Sequence, residues 1–497
     1  MKILFLYPNS YLSTGIPQGI ASLSATLKES GHEVVVFDFT FLKTKEHKLN
    51  TRTNTSILCY KPTSYDLEDL VQKDSVVDIN ELFCKVIQKF KPDLICLSAM
   101  STSFDEGINL LNNTKHCYDC PVIVGGVHAT IAPKDTLVHP VVDYVCVGEG
   151  EDVLLEFCEA LTAGRDPKRI DNLAYHKNGK SYINKLRPFI NLDDLPTPDW
   201  GLFDQRHLFR PFNGKIYNGS FYTMSRGCPY NCTYCVNASL KKVQKECGKY
   251  FRYQSPKKTI KDLAYLKKNF NATWFKFADD SIMGFDYNVL QELKEGLTPL
   301  NIMFGCSVRP ETVTREKVAL LKDMGCVAMS VGIESGNEWL RRNVLNRNMS
   351  NEIIKKAINI ITDFDIRVST FNMIGLVNET RDNVFETIRL NKELSVEQCN
   401  TYIVYPYPGT PLAIKYNKHF RAKNGKFIST ESAANFNLSQ MSPAEVRGLH
   451  KTFNLYLKLP EEFWPLIKIA EQENKEGRIV STALRKIILK FNITEKK

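Results

Sequence analysis

At 497 residues the chain exceeds what one hydrophobic core supports, so two or three domains are expected, and a hydrophobic fraction of 43% is enough to fill them. Lys and Arg number 65 against 55 Asp and Glu, a net charge of +10, but the charge is spread along the chain and makes no basic stripe interleaved with aromatics, so no nucleic-acid partner is expected. No apolar run reaches membrane-spanning length and no export signal is visible, so a cytoplasmic protein with reduced thiols is expected.

From residue 1 to 165, strand and helix signals alternate as in a doubly wound parallel sheet. Ile3 to Tyr7 form a continuous apolar run, Ile20, Leu23 and Leu27 follow at helical spacing, and Gly31 precedes the next run, Val34 to Phe37. Residues from about Phe41 to Val77 show no clear period and read as an insertion or long loop. Ile79, Leu82, Phe83, Val86, Ile87 and Phe90 recur at intervals of three and four, predicting an amphipathic helix that ends before Pro92. Leu94 to Ser98, Val122 to Val124 and Val141 to Val147 predict three more buried strands. Small or polar residues follow these strands: Ser98, Gly125-Gly126, and Gly148-Glu149-Gly150. Ligands of open parallel sheets sit beyond the carboxyl ends of the strands, so this row marks a ligand edge.

A linker is expected from 166 to 215, with a hairpin at Asn178-Gly179 and the proline-punctuated LDDLPTPDW. From 216 to 412 six βα units follow, their strands predicted at Phe221 to Met224, Thr273 to Phe277, Ile302 to Val308, Val327 to Ile333, Val368 to Ile374 and Thr401 to Tyr405. Six such units predict a partial (β/α)6 barrel with its chemistry at the C-terminal strand ends. Those ends carry Asp279-Asp280, Arg309, Glu334-Ser335, and Gly375 with Glu379. From 413 to 497 the pattern is helical, and its basic, amphipathic stretch IVSTALRKIILKFN suits either a helix packed on its own domain or peripheral contact with an anionic membrane.

The first barrel strand runs into SRGCPYNCTYC, where Cys228, Cys232 and Cys235 stand in the spacing Cys-x3-Cys-x2-Cys. A cubane iron–sulfur cluster normally takes four thiolates, so three from one loop leave one iron open to a substrate or cosubstrate. A zinc site recruiting Cys247 or His207 is the rival reading, but zinc motifs usually pair their ligands as two short spacers with a longer stretch between. Cys117 and Cys120 have no third cysteine close by and read as structural or incidental.

CPYNCTYC at the end of a first barrel strand resembles the signature of the radical S-adenosylmethionine (SAM) superfamily. MSRGCPYNCTYC, FADDSI, VGIESGNE, NMIGLVNET and YPYPGTPL are similar, in order and spacing, to members that carry an N-terminal cobalamin-binding domain. GIPQGIASLSATLKESGHEV, PDLICLSAMS, VIVGGVHAT and DYVCVGEGE resemble that domain in turn, so the likeness covers about residues 1 to 412.

The resemblance implies a Rossmann-like cobalamin-binding domain, a TIM-type radical SAM barrel, and three cofactors: a 4Fe-4S cluster, SAM and cobalamin. Cys228, Cys232 and Cys235 would bind the cluster, whose open iron chelates SAM. An electron would then cleave SAM and release a 5'-deoxyadenosyl radical. Tyr234 would lie near the adenine, Asp279 or Asp280 would accept from the SAM amino group, Arg309 would pair with its carboxylate, and Glu334 or Ser335 with the ribose. Gly375 belongs to the same SAM edge, though Val377 and Asn378 stand where family members often have proline and glycine. Ser98, Gly125, Gly126, His128, Gly148 and Glu149 would surround cobalamin. The Asp-x-His-x-x-Gly motif that supplies an axial histidine elsewhere is missing from NSYLSTGIPQG.

The reaction implied is methylation of an unactivated carbon or a phosphorus atom of a small molecule, with flavodoxin or ferredoxin as reductant. A radical cyclisation or rearrangement shares the same start. A methylthiotransferase would need a second cysteine triplet, and Cys59, Cys84 and Cys96 do not form one; a corrinoid or redox sensor would be better served by a four-ligand cluster.

Overall fold

A computed structural model describes residues 1–44, 76–396, 398–416 and 434–490. Most of the stretch read as an insertion, and Cys59 within it, lies outside the described residues.

The first sheet begins with β1 (Lys2–Tyr7) and β2 (Glu33–Asp38), and continues with β3 (Leu94–Ser98), β4 (Val122–Gly125) and β5 (Tyr144–Cys146). These five are parallel in the order β2-β1-β3-β4-β5, a doubly wound arrangement whose crossover reverses at β1. Helices cover both faces, so Ile3, Leu4, Phe5 and Leu6 are all buried and the strand reads as an unbroken apolar run. The helix Ile79–Phe90 starts where Asp78 accepts from the backbone of Asn80 and Glu81, and it buries Phe83, Ile87 and Phe90. Cys117 pairs with Cys84 in a disulfide rather than with its neighbour Cys120. This corrects the expectation of uniformly reduced thiols, because the middle of the helix Ile79–Phe90 and the short 3-10 helix Lys115–Cys117 bring the two Cα atoms to 5.6 Å.

The hairpin at Asn178-Gly179 is β6 (Leu173–Lys177) and β7 (Lys180–Ile183), and β6 pairs antiparallel with β5. It is therefore the far edge of the first sheet, and the boundary drawn at residue 165 falls inside that sheet. The reason is apolar: Leu173 and Ala174 are fully buried against the domain core. A second hairpin, β8 (Phe209–Phe212) and β9 (Lys215–Asn218), precedes the barrel. Between the hairpins His207 is buried; its Nδ1 accepts from Gly15 N–H at 3.0 Å and its Nε2 lies 2.6 Å from Asp38, so it joins the linker to the first domain.

The barrel strands are β10 (Phe221–Tyr222), then, after the short antiparallel ribbon β11 (Ser225–Arg226) and β12 (Arg252–Tyr253), β13 (Trp274–Phe277), β14 (Met303–Val308), β15 (Cys326–Glu334), β16 (Arg367–Ile374) and β17 (Gln398–Ile403). Among the described residues β10 and β13 to β17 make one parallel sheet in chain order, an open six-stranded partial barrel. The helices Pro443–Lys458, Trp464–Ala470 and Lys475–Lys490 close its far side. Leu449, Phe453, Leu484 and Ile488 share a core with Ile374 and Ile388, so the basic C-terminal helix packs its apolar side on its own chain. Among the described residues no helix is long and apolar enough to cross a membrane.

Candidate active site

The cysteine loop is set by the strand before it. Met224 N–H and the Ser225 hydroxyl both donate to Asp279 Oδ1, at 2.9 and 2.6 Å, which ties the start of the loop to the end of β13. Gly227 follows at φ 83°, where a Cβ would lie 2.4 Å from the Tyr250 carbonyl oxygen, so only glycine lets the chain turn there. Cys228 and Cys232 are buried and Cys235 is half-buried at the start of the helix Val236–Val243. Burial pushes the Cys228 thiol up to about 11 and raises Cys235, so thiolates here call for a metal as counter-charge. His207, the rival zinc ligand, is engaged elsewhere on both ring nitrogens.

The charged residues at the barrel strand ends are largely locked to one another. Asp279 is buried and its carboxyl is pushed up to about 7 by burial, while its Oδ2 has no hydrogen-bond partner among the described residues. Asp280 opens onto a cavity, and burial raises its carboxyl too. Arg309 donates from Nε to Glu311 at 2.9 Å, lies 3.7 Å over the Tyr230 ring and points Nη1 at Cys232 Sγ, 2.9 Å away. Its charge is already paired, beside a cysteine rather than in open space. Glu334 takes φ 69°, a rare conformation for a side-chain-bearing residue and a sign of a constrained strand end. The Tyr234 hydroxyl donates to Glu334 Oε1 at 2.9 Å, and Arg347 pairs with the same oxygen at 3.4 Å. Burial raises the Glu334 carboxyl, with Arg347 opposing. Ser335 is fully buried, its hydroxyl accepting from Asn337 N–H at 3.2 Å.

Gly375 and Leu376 donate their backbone N–H groups to Glu379 Oε2 at 2.6 and 3.1 Å. Asn378 adopts φ 60°, the left-handed region that asparagine tolerates, so the turn is made without the family's glycine. Glu379 is fully buried, its Oε1 has no partner among the described residues, and burial pushes its carboxyl up to about 8.

The ligand edge of the first sheet faces this loop across one cavity of about 440 Å³. Ser98, Gly125, Gly126, Gly148 and Glu149 line one side, and Thr223 to Gly227 with Asn237 and Asp280 line the other. A Cβ on Gly125 would meet only Cys146, 3.8 Å away, so the missing side chain adds to the cavity. Val127, just after β4, adds an exposed apolar residue to the same lining. His128 does not share this wall: it turns into the domain, 3.0 Å from Ser101 Oγ through Nδ1 and 4.2 Å from the Phe104 ring. His128, expected near cobalamin, is thus buried beside Phe104 and Ser101 and is not part of the cavity lining.

Glu149 has an unforeseen set of partners. Its Oε1 accepts from Arg226 at 2.5 Å and from Arg252, and its Oε2 from Ile190 N–H at 3.1 Å. Glu151, also buried, accepts from Arg226, whose charge holds the Glu151 carboxyl below its ordinary value against desolvation. Arg226, Arg252, Arg347 and Glu151 were missed in the sequence. For Arg226 a signal existed, a charge inside the strand that leads to the cysteines; Arg252 and Arg347 sit in segments without a pattern.

The donor set fits the groups implied by the resemblance: three thiols on one loop, a buried carboxylate oxygen without a partner, and a cavity widened by glycine. The family model of the radical SAM superfamily matches residues 222–390, and that of the B12 binding domain matches residues 65–157. An uncharacterised methyltransferase of Pyrococcus horikoshii is 27% identical over 83% of this chain and 82% of its own length. The anaerobic magnesium-protoporphyrin IX monomethyl ester cyclase of Rubrivivax gelatinosus is 25% identical over 83% of this chain and 69% of its own. The fold is that of TsrM, a radical S-adenosylmethionine methyltransferase of Kitasatospora setae, with a TM-score of 0.64, 17% identity, and coverage of 84% and 75% of the two chains.

Proposed function

Because the chain belongs to the radical SAM superfamily and carries a B12 binding domain, with a 4Fe-4S cluster, SAM and cobalamin as its cofactors, we propose that it methylates an unactivated carbon, or a phosphorus atom, of a small molecule. The observation that carries this reading is the shared cavity, walled by the glycine edge of the first sheet and by the loop before the cysteines. When bound, the cluster and SAM supply the adenosyl radical and cobalamin the methyl group.

In this reading Cys228, Cys232 and Cys235 hold the cluster. Asp279 offers its unpartnered Oδ2, and Asp280 its cavity-facing carboxylate, to the SAM ammonium. Tyr234, Glu334 and Arg347 form a fixed hydrogen-bonding wall for the ribose. Arg309, which donates toward Cys232, would be the partner of the SAM carboxylate. The first-sheet edge, with Ser98, Gly125, Gly126 and Gly148, seats the corrin. Flavodoxin or ferredoxin supplies the electron.

A second reading, oxidative cyclisation, is favoured by the likeness to the Rubrivivax cyclase. Anaerobic turnover with methyl-labelled SAM separates the two. Methylation predicts deoxyadenosine together with label in a product; deoxyadenosine with label in no product sinks it and leaves cyclisation. Cys228→Ser should lose cluster iron and deoxyadenosine together.

A further inference from the structure

The ribbon that leads into the cysteine loop carries an internal conflict. Arg226 on β11 and Arg252 on β12 are register partners in an antiparallel pair, and like charges directly opposite each other destabilise such a pair. Glu149 of the first domain resolves the conflict by placing one carboxylate oxygen between them, within hydrogen-bond distance of both guanidinium groups. Glu151 takes the other end of Arg226, giving two carboxylates and two guanidinium groups in one neutral cluster. All four are at most 30% exposed, so solvent screens the repulsion only in part. Arg252 also stacks 4.0 Å over Phe189, which holds it in place facing Arg226.

Resting on the assignment of the cavity to cobalamin and SAM, we propose that Glu149 is a positioning residue: it makes closure of the β11–β12 ribbon, and so the placing of the cysteine loop, conditional on docking of the first domain. Its carboxylate is not a contact of the corrin. The cluster loop then takes its final form only where the first domain is seated against the barrel.

Hydrogen exchange on the full chain without cofactors tests the clamp directly. In Glu149→Ala the segments 223–228 and 250–254 should exchange about tenfold faster or more, with the rest of the barrel unchanged. Adding Arg226→Ala removes the uncompensated repulsion, so the double variant should be protected better than Glu149→Ala alone. Unchanged exchange in Glu149→Ala, or a double variant less protected than the single, overturns the proposal. A second readout is the affinity for hydroxocobalamin, followed by absorbance. Glu149→Ala should weaken it, and adding Arg226→Ala should bring it back to within about threefold of the unmodified chain, because the ribbon then has no repulsion to offset. A loss above about tenfold in Glu149→Ala that the added Arg226→Ala leaves unrestored would make Glu149 a corrin contact and overturn the positioning role. If the unmodified chain binds no hydroxocobalamin, the proposed function fails, and the exchange measurement still decides the clamp.

Discussion

The two sheets end in opposite ways, the first at the cavity and the barrel largely in side chains bonded to one another. The first sheet ends in small residues along the cavity, Ser98, Gly125, Gly126 and Gly148; at Gly125 the missing side chain leaves room, whereas at Gly126 and Gly148 a Cβ would come within 2.9 Å of Ala99 and Gln244. The barrel ends in side chains that hold each other, with Tyr234, Glu334 and Arg347 in one group and Gly375, Leu376 and Glu379 in another. A large flat ligand is admitted by removing side chains, whereas a small charged one is oriented by fixing them before it arrives.

If the barrel edge is pre-fixed, breaking one of its locks should cost the most. Arg347→Ala leaves the Glu334 carboxyl buried beside Tyr234 without its cation, and should destabilise the chain by about 3–5 kcal/mol in urea unfolding. A loss under about 1 kcal/mol would mean that the group is not a lock. Glu379→Gln sharpens the same point through pH. With a native value of about 8, above the ordinary carboxyl, folded wild type keeps a proton that the unfolded chain releases, so its stability falls as pH rises from about 4.5 to 8. The Gln variant lacks this dependence and should gain on wild type across that window by on the order of 3 kcal/mol, read from unfolding midpoints at several pH values. The smallest effect concerns the empty edge. Gly125→Leu, whose Cβ would make only an ordinary contact with Cys146 at 3.8 Å, should leave unfolding within about 1 kcal/mol and cluster iron unchanged, yet weaken hydroxocobalamin binding about tenfold. Equal binding would show that the edge is not a seat for the corrin.

The central strands of both sheets were legible because they are largely buried and read as apolar runs; Leu94–Ser98 is the strand that the sequence predicts, residue for residue. The β11–β12 ribbon was not legible, since two paired residues on each side make no period. The hairpin at Asn178-Gly179 was recognised but misplaced, because a turn signal says nothing of which sheet the strands join. For His128 the position after Gly125-Gly126 left open whether it faces a ligand or the interior, and the short helix that carries it turns it inward, onto Ser101 and Phe104.

The sequence by itself determined the chemistry on offer: three thiols at a fixed spacing on one loop, and glycines at successive strand ends, are local facts that survive any packing. Which charges are free and which are spent was decided only by the tertiary structure. Glu149 and Arg226 lie 77 residues apart in the chain, and whether a carboxylate meets a ligand or a guanidinium depends on what the fold sets against it.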